Sequence, residues 1–288
     1  MIADLLALLW APFLMCLVLT GIHAYLGVHV LAREVVFVDI AMAQIAALGA
    51  TAAFLVGYEP DTWESYVCGL SATIVGAVVL ALTRSRRRHV SQEAVIGVVY
   101  AVSSAAAVLL ADRAPHGAEQ VRTMLVGNLL AVRPSAVVEV ALLYAAVGFL
   151  HWLCRRPFFL ISTDPDAAYA EGWRVRLWDF LFYASFGVVV TSSVRIAGVL
   201  LVFSYLIVPA LAGVTFGGSV ASRLLIGWSF GTVVSVIGMV ASATFDTPTG
   251  ATVVCAFGAV LLVFGLGSRL RRRLRTPAAA PREPAEVR

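Results

Sequence analysis

The amino-acid sequence predicts an all-α, polytopic membrane protein with eight or nine transmembrane helices. Three observations lead there. Hydrophobic residues make up 60% of the 288 and charged residues only 13%, with a mean hydropathy of +0.91, whereas about a quarter of an average soluble domain is charged. Apolar runs close to the roughly 20 residues that a bilayer-crossing helix needs follow one another with short polar gaps. The arginines gather at the ends of those runs instead of on one polar face, as sidedness signals do. The net charge of +4 and the pI near 9.1 therefore point to topology and a lipid membrane, not to a nucleic-acid partner.

Taken in order, residues 5–26 form the first apolar run, too long for a cleaved signal sequence and without a basic segment before it, hence a retained span. Residues 35–57 form the second, and the acidic loop 58–64 after it carries no arginine and is expected outside. The third, 66–82, runs into Arg84, Arg86, Arg87 and Arg88, a cluster expected in the cytoplasm. Residues 94–110 form the fourth. The apolar piece 123–132 is too short to cross and reads as a re-entrant or packed helix. A fifth span, 136–153, ends at Arg155 and Arg156 and opens into the polar segment 163–176, whose arginines place it inside. Runs 177–193, 196–216 and 220–244 follow, and the last crosses over 249–267 before Arg269, Arg271, Arg272, Arg273 and Arg275. Alternation puts the amino terminus outside, the carboxyl terminus in the cytoplasm and every arginine cluster on one side. Residues 1–275 thus form the transmembrane domain, and the Pro-, Ala- and charge-rich 276–288 reads as a disordered cytoplasmic tail.

The chain contains no lysine; its 21 strongly basic residues are all arginine. A P-loop needs a lysine to reach nucleotide phosphates, and Schiff-base chemistry needs one as well, so the chain is not itself an enzyme of either kind. Cys16, Cys68, Cys154 and Cys255 lack CxxC spacing and read as small hydrophobes. His23 and His29 are six apart, which is not the i, i+4 spacing of a helical ligand pair.

Three segments depart from plain lipid-facing helix. In residues 33–49, Asp39 and Gln44 sit inside or at the edge of a span, where an ionisable group marks either a functional path or a local pair, here with Arg33. Met42 is either a soft metal ligand or packing. In residues 164–179, Pro165 and Gly172 bracket a short cytoplasmic helix, either a docking surface or an ordinary loop. In the third, Pro209 interrupts a hydrogen-bond ladder in mid-membrane, either as a broken helix lining a path or as a simple packing kink, and Asp246 opens a tight outside turn at Pro248 and Gly250.

These segments, in this order, resemble the permease family of ABC transporters that import zinc, manganese or iron. REVVFVDIAMAQIAALG is similar to the family's arginine, Gly-Asp-Ala-Leu-Ser/Ala-His and glycine segment. SQEAVIGVVYAVSSAAAVLL and MLVGNLLAV look like the two elements that follow it there, and DPDAAYAEG resembles the cytoplasmic aspartate, alanine and glycine pattern. AGVLLVFSYLIVPALAG and FDTPTGA resemble the late glycine-leucine-leucine-proline signature and the aspartate-proline-glycine turn. The resemblance covers nearly the whole chain except the tail. It departs at one place: aligned through Gly49, the family's histidine falls on Gln44, its aspartate on Ile40 and its glycine on Asp39. A glutamine amide is a poorer transition-metal ligand than imidazole.

The resemblance implies an ABC importer permease fold that binds no cofactor of its own. The cargo would be a divalent metal, with ATP bound by a partner. Expected partners are a cytoplasmic ATPase, an extracellular or periplasmic metal-binding receptor protein and a second permease copy, in a bacterial plasma membrane. Asp39, Gln44, Met42 and Asp246 are the expected translocation-path residues, with Asp39 as metal ligand. Asp164, Asp166, Ala168, Glu171 and Gly172 form the expected ATPase-coupling segment. A permease for a metal chelate such as a siderophore or cobalamin, an ion-driven secondary carrier and a membrane scaffold are the competing readings.

Overall fold

A computed structural model describes residues 2–59, 62–84, 91–113 and 117–275, except the side chains of 2–8, 117–121 and 264–275. The expected tail, 276–288, and most of the arginine cluster after Arg84 lie outside the described residues.

The regular elements among them are all helical. In chain order they are α1 (Ile2–Ala32), α2 (Val38–Leu55), α3 (Trp63–Leu82), α4 (Gln92–Ala111), α5 (Gly117–Val126), α6 (Pro134–Leu153), α7 (Arg155–Thr163), α8 (Pro165–Ala170), α9 (Val175–Ala197), α10 (Val199–Phe216), α11 (Val220–Phe245) and α12 (Thr249–Arg275). Eight of these, α1–α4, α6 and α9–α11, are long and apolar enough to cross a membrane, and α12 is apolar over Thr249–Val263.

Helix ends follow local chemistry. Ser91, Thr62 and Ser219 cap α4, α3 and α11 through their hydroxyls, satisfying backbone N–H groups that a helix start leaves free. Pro134 opens α6, where its missing N–H costs nothing. Residues 123–132 do not cross: α5 stops at Val126, the chain turns at Gly127 (φ +69°), and a 3-10 turn spans Leu129–Ala131.

Four helices make the interior. α2 packs on α3, α4 and α9, and α1 packs on α10, α11 and α6, so α1, α2, α9 and α10 contribute most of the buried core. Close approach depends on small residues. A Cβ placed on Gly27 of α1 would overlap the Leu206 carbonyl oxygen of α10.

Four sequence expectations are corrected. α1 continues past residue 26 to Ala32 and takes His29 into the helix. The α9–α10 break falls at Gly198 (φ +77°), not at Arg195, because an arginine extends a helix readily while the left-handed backbone needs glycine. α10 runs unbroken through Pro209, against which Gly227 and Gly231 of α11 pack, so of the two readings of the proline the broken helix is corrected and the packing one stands. Finally, only Cys16 of the four free cysteines is fully buried, and Cys255 is exposed. A helix that the sequence reading did not foresee, α7, follows α6 directly, its pattern obscured by Arg155, Arg156 and Pro157.

The arginine-bearing ends meet as expected. Arg33 after α1, Arg84 after α3, Ser162 in α7 and Asp179 in α9 are joined by side-chain bonds, and the Phe37 N–H donates to Glu93 at the start of α4. At the opposite end Asn128 N–H donates to Ile196 O at 3.0 Å, and Gly250 packs on Val126 and Ala197.

Candidate translocation site

Asp39, Met42 and Gln44 come from one helix, α2, which carries them into the interior. Asp39 lies in its first turn, near the arginine end; its side chain is fully buried and neither carboxylate oxygen has a hydrogen-bond partner. The local pair with Arg33 does not form, because Arg33 turns to Asp179 instead. Met42 is fully buried one turn on. A Cβ on Gly187 of α9 would lie 2.9 Å from its methyl, and one on Gly76 of α3 would lie 3.5 Å from its sulfur, so it fills the space two glycines leave. Gln44 is half-buried. Asp246 is not brought to them: it is exposed in the left-handed turn (φ 50°) between α11 and α12 at the opposite end.

The segment after α6 is a compact unit. The Asp164 carboxylate accepts from Ala167 N–H at 2.9 Å and caps α8, and Gly172 (φ +81°) lets the chain reverse into α9. Ala168 is buried against Ile161 of α7 and Val175 of α9. Glu171 accepts from Trp173 Nε1 at 3.0 Å and pairs with Arg156 at 3.5 Å, while Asp166 is exposed. The bracket of Pro165 and Gly172 therefore holds as read.

The sequence reading missed a buried polar seam between α1, α6, α7 and α9. His23 Nε2 lies 3.1 Å from Ser193 Oγ, which is also hydrogen-bonded to the Tyr144 hydroxyl. Toward the arginine end, His151 donates from Nε2 to Ser185 Oγ at 2.8 Å, since Ser185 gives its own proton to Phe182 O. Ser162 donates to Phe158 O and accepts from both His29 Nδ1 and Arg33 Nε, at 2.9 and 2.8 Å. Arg33 Nη1 donates to Asp179 at 2.7 Å with both side chains wholly buried, and its guanidinium lies 3.9 Å from the centre of the Phe182 ring. Burial pushes the Arg33 guanidinium below its ordinary value, and the Asp179 carboxylate opposes that. Arg84, part-exposed, adds a second pair to Asp179 at 3.1 Å. The only sequence signal was a seven-residue spacing, Ser185 with Ser192 on α9 and Tyr144 with His151 on α6, which places each pair on one helix face. Among the described residues no three His, Cys, Asp or Glu side chains gather into a metal cluster.

What the interior offers is thus an unpaired carboxylate in a close-packed helix, with thioether and amide groups on the following turns. The family described as "ABC 3 transport family" matches residues 6–267. The chain belongs to the ABC 3 transport family. Among the curated proteins similar to it, the high-affinity zinc uptake system membrane protein ZnuB of Haemophilus influenzae is 25% identical over 271 residues, 92% of this chain and 98% of that protein. The manganese transport system membrane protein MntC of Listeria innocua is 25% identical over 202 residues, covering 68% of this chain and 71% of its own length. The fold is that of PsaBC from Streptococcus pneumoniae, solved in complex with Fab: TM-score 0.75, 19% identity, covering 91% of this chain and 95% of that one. ABC 3 transport family membership confirms the resemblance drawn from motifs, and the chain is a multi-pass membrane permease of that kind.

Proposed function

We propose that the chain is the membrane-spanning subunit through which an ATP-driven importer passes a bare divalent metal ion, with Mn²⁺ preferred over Zn²⁺. The observation that carries this reading is Asp39, whose two oxygens are buried without a partner. An isolated ionised carboxylate in such a place costs several kcal/mol unless it pairs or takes a cation. Metal transport is what the relatives' names describe, and α2 would line the path, with Gln44 and Met42 following Asp39 and Asp246 at the outer mouth. The close packing around Met42 favours an ion over a chelate. Oxygen donors favour Mn²⁺, and the histidine that would favour Zn²⁺ is replaced by Gln44.

On this reading the arginine end faces the cytoplasm of a bacterial cell by its charge, which puts the amino terminus outside. The α8 unit, with Asp164, Asp166, Ala168, Glu171 and Gly172, would receive the ATPase, whose chemistry a lysine-free chain leaves to another subunit. A second permease copy and a metal-binding receptor protein complete the assembly. The test is purification in mild detergent from the native host. An accompanying ATPase, and ATP-dependent Mn²⁺ uptake by vesicles containing both, support the reading. Uptake driven by an ion gradient without any ATPase would sink it.

A further inference from the structure

We infer that a groove bounded by α1, α6, α7 and α11 is a binding site for one anionic phospholipid of the leaflet on the arginine side, with an acyl chain along the groove and the phosphate at Arg155. The groove has a volume of ≈520 Å³, within the roughly 300–1,000 Å³ of ordinary small-ligand sites. Its α1 wall runs from Leu17 to Tyr25 and its α6 wall from Ala141 to Trp152. At 1.5 Å of rise per residue these walls are about 12 and 16 Å long, close to the roughly 15 Å of hydrocarbon in one leaflet. Both begin near the middle of their helices and run toward the arginine end, and α11 contributes from its first residues, Val220 to Trp228. Two glycines hollow the groove: a Cβ on Gly21 of α1 or on Gly148 of α6 would meet no atom within 4 Å. Trp228 donates from Nε1 to the Gly21 carbonyl oxygen at 2.9 Å and so ties the α11 wall to α1.

Charge at the mouth selects the occupant. Among the described residues no Asp or Glu lines the groove, and its one arginine, Arg155, is exposed and pairs with no carboxylate; its guanidinium stands 5.3 Å from the centre of the Trp152 ring. The neighbouring Arg156 differs, being turned to Glu171 at 3.5 Å. An unpaired cation at the open end of an apolar channel matches a molecule with an anionic head and a hydrocarbon tail. Trp152 and Arg155 also form the pairing of aromatic and basic side chains that marks a membrane surface and holds lipid headgroups there. A zwitterionic headgroup would bring a second cation toward Arg155, so an anionic one is preferred. Among the described residues, α2, which carries Asp39, and the helices it chiefly packs on, α3, α4 and α9, contribute nothing to the lining. The site is therefore separate from the proposed path and independent of what the permease carries.

The experiment uses the full chain purified in mild detergent. Native mass spectrometry reads bound lipid, and melting temperatures are taken with phosphatidylglycerol, phosphatidylcholine or, as a phosphate without a tail, glycerol 3-phosphate. The expected result is a phospholipid adduct on the chain, and a melting temperature raised more by phosphatidylglycerol than by phosphatidylcholine and not at all by glycerol 3-phosphate. Arg155→Gln weakens phosphatidylglycerol binding about fivefold, the effect of one basic residue at an anionic lipid surface, whereas Arg156→Gln leaves it unchanged. Gly148→Leu enters open space and folds normally, but its branched side chain takes the room of several methylenes, which alanine's single methyl does not, and weakens binding of both phospholipids about tenfold or more. Equal losses in Arg155→Gln and Arg156→Gln would reduce the effect to diffuse charge and overturn the site. Undiminished lipid binding by Gly148→Leu overturns it too, as does the absence of any phospholipid adduct, or a purified dimer that Gly148→Leu splits with bound lipid unchanged, which would put a second copy in the groove.

Discussion

Arg33 donates to Asp179 at 2.7 Å with both side chains wholly buried, and in doing so leaves Asp39, six residues along, without a cation. Removing one partner from a buried pair strands the other, at a cost of about 3–5 kcal/mol. Asp179→Ala, which strands Arg33 and Arg84 together, is therefore the most destabilising change in this cluster. Arg33→Ala follows it, and Arg84→Ala costs only about 1 kcal/mol because its side chain is part-exposed. Thermal unfolding in detergent gives the order; equal losses at Arg33 and Arg84 would show that burial does not set it.

Gly198 and Gly148 predict opposite outcomes for the same substitution. At Gly198 the backbone is left-handed (φ +77°), and a Cβ would lie 2.5 Å from Gly127 N, backbone against backbone. Gly198→Ala should cost at least about 2 kcal/mol and lower the yield of folded protein. Gly148 lies inside α6 with open space where a Cβ would stand, and it should gain roughly 0.5–1 kcal/mol as alanine. Melting temperatures of the two variants check both signs.

Tyr144→Phe removes a hydroxyl bonded to Ser192 and Ser193, yet each serine keeps a bond to a carbonyl one turn back. Hydrogen bonds between membrane helices are worth about 0.6 kcal/mol on average, so the expected loss is small. A loss above about 2 kcal/mol would mean that the seam acts as one cooperative network.

The span count, the short α5, the α8 bracket and the gathering of arginine ends were all legible, because hydropathy and charge placement respond to the bilayer directly. The site was legible only in part. Asp39 announces itself as a carboxylate within an apolar run, but its partner could not be read. Arg33 is near in sequence, whereas Asp179 is brought in by the packing of α9. The seam of His23, His29 and His151 was missed for the same reason. Its members come from four helices, and each histidine finds a serine 34 or more residues away. Pro209 left a broken helix and a packing kink both open, because what decides between them is whether neighbouring glycines, here Gly227 and Gly231, let another helix close over it.

Ion preference should respond to Gln44. Gln44→His supplies an imidazole one turn beyond Asp39, and on the proposed path it shifts uptake toward Zn²⁺ relative to Mn²⁺ by about tenfold. Competition between the two ions in vesicle uptake measures the shift; an unchanged ratio would remove Gln44 from the path.

The central claim is that Asp39 is left unpaired in the folded chain because a passing cation is its partner. ATP-driven Mn²⁺ uptake by Asp39→Asn, in vesicles that also hold the ATPase, tests it most directly. The account predicts that uptake falls about tenfold or more, while ATPase capture is kept and the melting temperature is unchanged or higher, since the substitution removes a buried carboxyl that has no partner in the folded chain. Uptake at the level of the unaltered chain, from a correctly assembled variant, would contradict it.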